Sequence, residues 1–270
     1  MTWTTPPVSK IAPDGTAYDL SGPEKAPCVV LIHGLGLSRQ LWDMHLPALA
    51  GYRVLRYDLY GHGDSAPAPS PATLTLFARQ IAGLLAQEDI ARAHIVGFSI
   101  GGMINRRFAM DYPDKAASLA ILNSPHDRGE AAQLAVEERA KSVRDQGAFS
   151  TFDAALKRWF TPGYLANGDG PARVRAWREM VDAETYAQTA WVLAHGVREL
   201  IAPDPPITLP SLVMTCAHDS GSTPQMSHDI GSEIAGSQTI IIPTLQHLGL
   251  IEDPTAFTNP ILDFLKKVPT

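Results

Sequence analysis

Only two cysteines, Cys28 and Cys216, occur in 270 residues, too few for the disulfide framework of a small secreted domain. Neither belongs to a Cys-x-x-Cys pair, so the expectation is two buried thiols in a reducing compartment. Basic charge is also in deficit: 22 Lys+Arg against 28 Asp+Glu give a formal charge of −6. That balance argues against nucleic acid or an anionic membrane as partner, because both need a basic face. No run of apolar residues reaches the length of a membrane span, about 18 residues. Met1–Lys10 has neither an apolar stretch nor a small-residue cleavage site, which reads as no secretory leader and a cytoplasmic location. His-Glu-x-x-His and His-x-His-x-Asp-His patterns are missing, so the expected chemistry uses no metal and no other cofactor. With 45% hydrophobic and 19% charged residues, the chain is neither disordered nor collagen-like.

What is present is alternation. Short β-branched runs separate longer amphipathic stretches, the pattern of an α/β sheet. The strands are read at Val8–Ile11, Ala17–Ser21, Cys28–Ile32, Tyr52–Tyr57, His94–Phe98, Leu119–Leu122, Leu212–Thr215 and Thr239–Ile242. Helices are expected over Thr73–Gln87, Ile100–Met110 and Pro254–Lys267. From Asp127 to Pro206 the rhythm breaks into helices with no convincing strand, and the segment ends in Ala202-Pro203-Asp204-Pro205-Pro206. It holds 10 of the 22 basic residues and Trp159, Trp177 and Trp191. The expected organisation is a core formed by 1–126 and 207–270, with 127–206 inserted as a helical cap over the carboxyl edge of the sheet, where such sheets bind ligands. A helical subdomain used for dimerisation is the competing reading.

Gly97-Phe98-Ser99-Ile100-Gly101 joins an apolar strand to a helix. Small residues two positions either side of Ser99 permit a sharp turn that exposes the hydroxyl. A serine hydroxyl is a weak nucleophile until a base takes its proton, and that base is a histidine oriented by a carboxylate. In this strand–turn–helix setting the chain order is serine, acid, histidine. His33, His45, His62 and His94 precede Ser99 and are excluded. His247 follows the last strand, and His228 reads as a surface residue; His126, His195 and His218 have no comparable position. Asp219, just after the run Ser211–Cys216, is the expected acid, with Asp127 as runner-up and a helix-capping role as the plainer reading of Asp219. His33-Gly34-Leu35-Gly36 ends a buried strand, so the N–H groups of Leu35 and Ile100 are the expected donors to an oxyanion.

These residues together resemble the α/β-hydrolase family over essentially the whole chain, and within it the 3-oxoadipate enol-lactonases. The resemblance is carried by His33-Gly34, Leu55-Arg56-Tyr57-Asp58, Gly61-His62-Gly63-Asp64-Ser65, Ser99, Arg158-Trp159-Phe160-Thr161, His218-Asp219, Thr223-Pro224 and the stretch from Ala235 through His247 to Phe257. Two positions depart from the pattern. Tyr60 stands before Gly-His-Gly where Arg is usual, and His33-Gly34 occupies a turn that is often Asn-Ser in enol-lactonases. The resemblance implies a mostly parallel eight-stranded sheet flanked by helices, with the helical cap inserted. It also implies a small-molecule lactone or ester substrate that carries a carboxylate in some members, for which Arg128 and Arg158 are candidate partners unless they are ordinary surface arginines. A hydrolase of C–C bonds in ring-cleavage products, a general carboxylesterase and a non-catalytic ligand receptor remain open. The expected assembly is a monomer or homodimer.

Overall fold

The computed structural model describes residues 8–268; most of the Met1–Lys10 stretch read above for a leader lies outside them. Eight strands form one sheet: β1 (Val8–Ile11), β2 (Ala17–Ser21), β3 (Cys28–Ile32), β4 (Arg53–Tyr57), β5 (Ala93–Phe98), β6 (Ala116–Leu122), β7 (Ser211–Cys216) and β8 (Gln238–Ile242). Their order is β1-β2-β4-β3-β5-β6-β7-β8. The pairs β1–β2 and β2–β4 are antiparallel, and every pair from β4–β3 through β7–β8 is parallel. The helices are α1 (Leu74–Gln87), α2 (Ile100–Asp111), α3 (Gly129–Gln146), α4 (Phe152–Trp159), α5 (Pro162–Asn167), α6 (Gly170–Glu179), α7 (Ala183–His195), α8 (Pro224–Glu233), α9 (Gly249–Glu252) and α10 (Pro254–Leu265). None of them is long and apolar enough to cross a membrane.

The continuous apolar strands follow from burial on both faces. On β3, Val30 and Ile32 point into the core beneath α1 and α2, with Phe77, Ile81, Met103 and Ile104. The alternate residues Val29 and Leu31 join the opposite core, with Trp42 and with Phe257, Ile261 and Phe264 of α10. Both cysteines are buried free thiols inside these layers.

Between β6 and β7 the chain contains α3 to α7 and no strand. Four bonds tie this helical stretch to the segment after β8 that ends in α9, one of them from Thr161 Oγ1 to Glu252 Oε1. The Leu248 N–H donates to Trp159 O at 2.9 Å, Gln246 Nε2 donates to Lys157 O at 3.1 Å, and the Thr161 N–H donates to Glu252 Oε2 at 3.1 Å.

Candidate active site

Ser99 sits between β5 and α2 with φ 58° and ψ −116°, a backbone state that costs of order 1–3 kcal/mol and persists only where its surroundings fix it. Here they do. The Ser99 N–H donates to Leu122 O at 2.8 Å. A Cβ at Gly97 would overlap the Gly101 backbone, and one at Gly101 would overlap the Ile32 carbonyl. Glycine at both positions is therefore what allows the strand and helix to meet so closely.

The residues singled out by sequence order come together. Ser99 Oγ lies 3.2 Å from His247 Nε2, and His247 Nδ1 lies 2.6 Å from Asp219 Oδ2. With Nδ1 donating to the carboxylate, Nε2 is left to accept the serine proton. Asp219 does not cap α8, whose N-terminal cap is Thr223, accepting the Met226 N–H at 3.3 Å. Asp219 Oδ1 accepts the Gly221 and Ser222 N–H groups at 2.9 Å each, closing the turn ahead of α8, while Oδ2 faces His247. Burial pushes the Asp219 carboxyl upward. The charge and hydrogen bond of His247, with bonds from Asn123 and the Ser222 N–H, outweigh that and hold it below the usual carboxylate range.

Asp127, the runner-up acid, is exposed and accepts the Gly129 N–H at 3.0 Å, as a turn residue does. Of the remaining late histidines, His126 bonds Glu233 at 2.9 Å, His195 stacks on Trp191 at 4.0 Å, and His218 and His228 are exposed. Gly34 and Leu35 line the same cavity as Ser99 and His247. Neither the Leu35 nor the Ile100 N–H donates to a backbone carbonyl among the described residues. The turn that carries Leu35 is pinned by His33, whose Nδ1 donates to Gly34 O at 2.8 Å and whose Nε2 accepts the Leu59 N–H at 3.0 Å. Burial lowers the His33 pKa to about 4, so the ring is neutral and able to make both bonds.

Three residues had escaped the sequence reading. Asn123, at the tip of β6 with φ 46°, donates from Nδ2 to Asp219 Oδ2 at 2.9 Å and to Thr215 Oγ1 at 3.3 Å. Its signal was positional: it ends β6 at the same sheet edge where Asp219 follows β7. Arg139 of α3 and Arg178 of α6 join Arg128 and Arg158 in the cavity wall, and nothing in the linear sequence separates them from ordinary helix-surface arginines. Trp159 and Phe98 complete the surroundings of His247, with ring centroids 6.4 and 5.0 Å away. Among the described residues no group of three His, Cys, Asp or Glu side chains is arranged to hold a metal.

A family model described as "Alpha/beta hydrolase family" matches residues 29–259. The 3-oxoadipate enol-lactonase 2 of Acinetobacter baylyi is 28% identical over 255 residues, covering 93% of this chain and 92% of that protein. A crystal structure of a hydrolase from Pseudomonas aeruginosa superimposes with a TM-score of 0.85 at 30% identity, covering 96% of this chain and 98% of the other. The enol-lactonase from Burkholderia xenovorans also gives 0.85, at 29% identity, with 96% and 100% covered.

Proposed function

The chain belongs to the α/β hydrolase family, and from that premise we propose that it is a serine hydrolase opening a small lactone or carboxylic ester of the enol-lactone kind. The observation that carries this reading is the hydrogen-bonded series Ser99–His247–Asp219 with its serine end on the cavity. Likeness to enol-lactonases supports the substrate class.

Ser99 Oγ attacks the carbonyl carbon as its proton passes to His247 Nε2. Asp219 keeps the imidazole oriented and stabilises the imidazolium. The N–H groups of Leu35 and Ile100 receive the oxyanion, each donor contributing on the order of 10²–10³ in rate. The C–O bond then breaks, and the leaving oxygen takes the proton held on Nε2. In an enol lactone the released enol becomes a ketone, which makes ring opening hard to reverse. Water activated by His247 next attacks the acyl-serine and releases the acid. The helical stretch 127–206 acts in this reading as a cap that supplies the cavity wall and limits access of bulk water.

Ser99→Ala is expected to remove hydrolysis of a panel of enol lactones, simple lactones and aryl esters while leaving the unfolding midpoint near that of the parent. A fluorophosphonate should label the parent once per chain, at Ser99. Full activity in the variant, or no labelling of the parent, sinks the assignment.

A further inference from the structure

Gly34–Leu37 is a four-residue turn closed by the Leu37 N–H on Gly34 O at 3.2 Å, with Leu35 and Gly36 as its central pair. The Leu35 N–H shares a planar trans peptide unit with Gly34 O, so the two point in opposite directions. Whatever holds that carbonyl therefore aims the N–H. On the core side His33 Nδ1 holds it at 2.8 Å. The Leu37 N–H completes the hold and lies one residue beyond Gly36, so a shift of Gly36 loosens it.

Gly36, with φ 69°, meets α6. A Cβ at this position would overlap Nε, Cζ and Nη2 of Arg178. Arg178 is 2% exposed and is held on every other side. Its Nη1 donates to Ala148 O at 2.9 Å, and its Cζ lies 4.6, 5.4 and 5.7 Å from the ring centroids of Tyr186, Phe152 and Trp159. One side chain thus gathers α4, α6, α7 and the α3–α4 connection onto the turn. Nε and Nη2 have no hydrogen-bond partner, so the contact with Gly36 is packing and the guanidinium edge is closed to a ligand. The Leu35 side chain packs against the same helices, in the cluster of Val136, Ala140 and Tyr186.

Resting on the hydrolase reading above, we propose that Arg178 is a positioning residue for the oxyanion turn. Pressed on Gly36 from α6, it sets the aim of the Leu35 N–H jointly with His33, and the turn keeps its donor geometry only while α6 is seated. The guanidinium touches neither substrate nor oxyanion. Its planar group can rest on the rings and still present a rigid edge, which the flexible chains of lysine and methionine cannot do. Glycine at 36 has no side chain to fill the gap that a retreating guanidinium leaves. A displacement of about 1 Å can cost about 10²-fold in rate, and a lost oxyanion donor costs about 10²–10³.

The test is a double-mutant cycle on the full-length chain, built from Gly36→Ala and Arg178→Met. It is read with an aryl ester and with an aryl trifluoromethyl ketone, to whose carbonyl carbon Ser99 Oγ adds, leaving the ketone oxygen as an oxyanion. Arg178→Met should lower kcat and the affinity for the ketone together, by about tenfold to a hundredfold, with KM nearly unchanged. Alanine at 36 is strained at this φ in any background, but it overlaps the guanidinium only where Arg178 is present. Gly36→Ala should therefore cost less in the Arg178→Met background than in the parent, by about fivefold or more. Arg178→Lys takes the place of Arg178→Met should that variant not fold, with the same losses expected. Additive losses, a loss confined to KM, or ketone affinity unchanged while kcat falls overturns the proposal. Fluorophosphonate labelling of the parent separates the two readings. A chain that labels at Ser99 and shows additive losses loses only the role of Arg178, whereas a parent that neither labels nor binds the ketone loses the hydrolase reading and this proposal with it.

Discussion

Two groups of arginine, one buried in the N-terminal half and one in the cavity wall that is half-buried apart from Arg178, have opposite surroundings. In the N-terminal half Arg39 meets Asp19, Asp58 and Asp64, and Arg56 meets Asp19 and Asp43. Burial alone would lower the Arg39 pKa, but Asp58 and Asp19 outweigh it and raise it. In the cavity wall burial prevails, and Arg139, Arg158 and Arg178 are all lowered. The first cluster is complete without a ligand. It ties the β4 tip to the loop Gly61–Asp64 and so holds the sheet edge beside the site. The second pairs with no carboxylate among the described residues: Arg128 and Arg178 bond backbone carbonyls, Arg178 packs over the rings of Phe152, Trp159 and Tyr186, and the Asp219 charge reaches Arg158. Charge compensation alone does not mark function, since Arg106 is buried, pairs with no carboxylate among the described residues and lies outside the cavity, bonded instead to the Gly102 and Pro125 carbonyls.

Acid should have the largest effect on the compensated half, which also contains four buried neutral histidines. Burial lowers His33, His45 and His94 to about 4 and His62 to about 3, from 6.5. Between those values and 6.5 the unfolded chain binds protons that the folded chain does not, so stability falls as pH falls. Each histidine contributes a slope of up to about 1.4 kcal/mol per pH unit. Urea unfolding at pH 7, 6 and 5 checks this, and a flat profile would mean these rings accept protons at no cost.

Asp58→Ala comes next. It leaves Arg39 buried beside a smaller share of negative charge, and the expected loss is about 3–5 kcal/mol by urea unfolding. A loss below about 1 kcal/mol would erase the contrast between the two clusters, since exposed ion pairs already contribute that much.

Asn123→Ala tests the cavity carboxylate Asp219, which is itself compensated. Losing a bond to a charged acceptor is expected to lower kcat by about tenfold to a hundredfold, the equivalent of roughly 1.5–3 kcal/mol, with KM nearly constant. A change confined to KM would assign Asn123 to binding rather than to holding Asp219.

The smallest effect on stability belongs to Arg139→Gln. It removes a charge that repels Arg158, so stability should stay within about 0.5 kcal/mol of the parent and not fall. A loss comparable to that of Asp58→Ala would mean Arg139 is structural after all.

The sequence made the strands and the order of the site residues legible, because both follow from local pattern. β3 announces itself by an unbroken apolar run, and Ser99 by the glycines around it. β6 starts at Ala116 rather than Leu119, because Ala116, Ala117 and Ser118 are too small and too weakly apolar to mark a strand by composition. The position of β4 between β2 and β3, and the antiparallel entry of β1 and β2, depend on pairings between distant segments. For the same reason Asn123, Arg139 and Arg178 were invisible: each owes its place to a neighbour far along the chain.

The bonds from Leu248 to Trp159, Gln246 to Lys157 and Thr161 to Glu252 bracket His247 on both sides and end on α4 and its immediate exit. The imidazole and α4 therefore form one cooperative unit. Any excursion of α4 large enough to widen the entrance either breaks these bonds or displaces Nε2 from Ser99. Opening that preserves the Ser99–His247 contact is left to α3 and α6, since α7 is itself held by the loop after β4 through the Ala68 N–H on Thr185 Oγ1 and the Ala72 N–H on Gln188 Oε1. The amide protons of α3 and α6 should exchange with solvent earlier than those of α4 and of residues 246–248, which should exchange together.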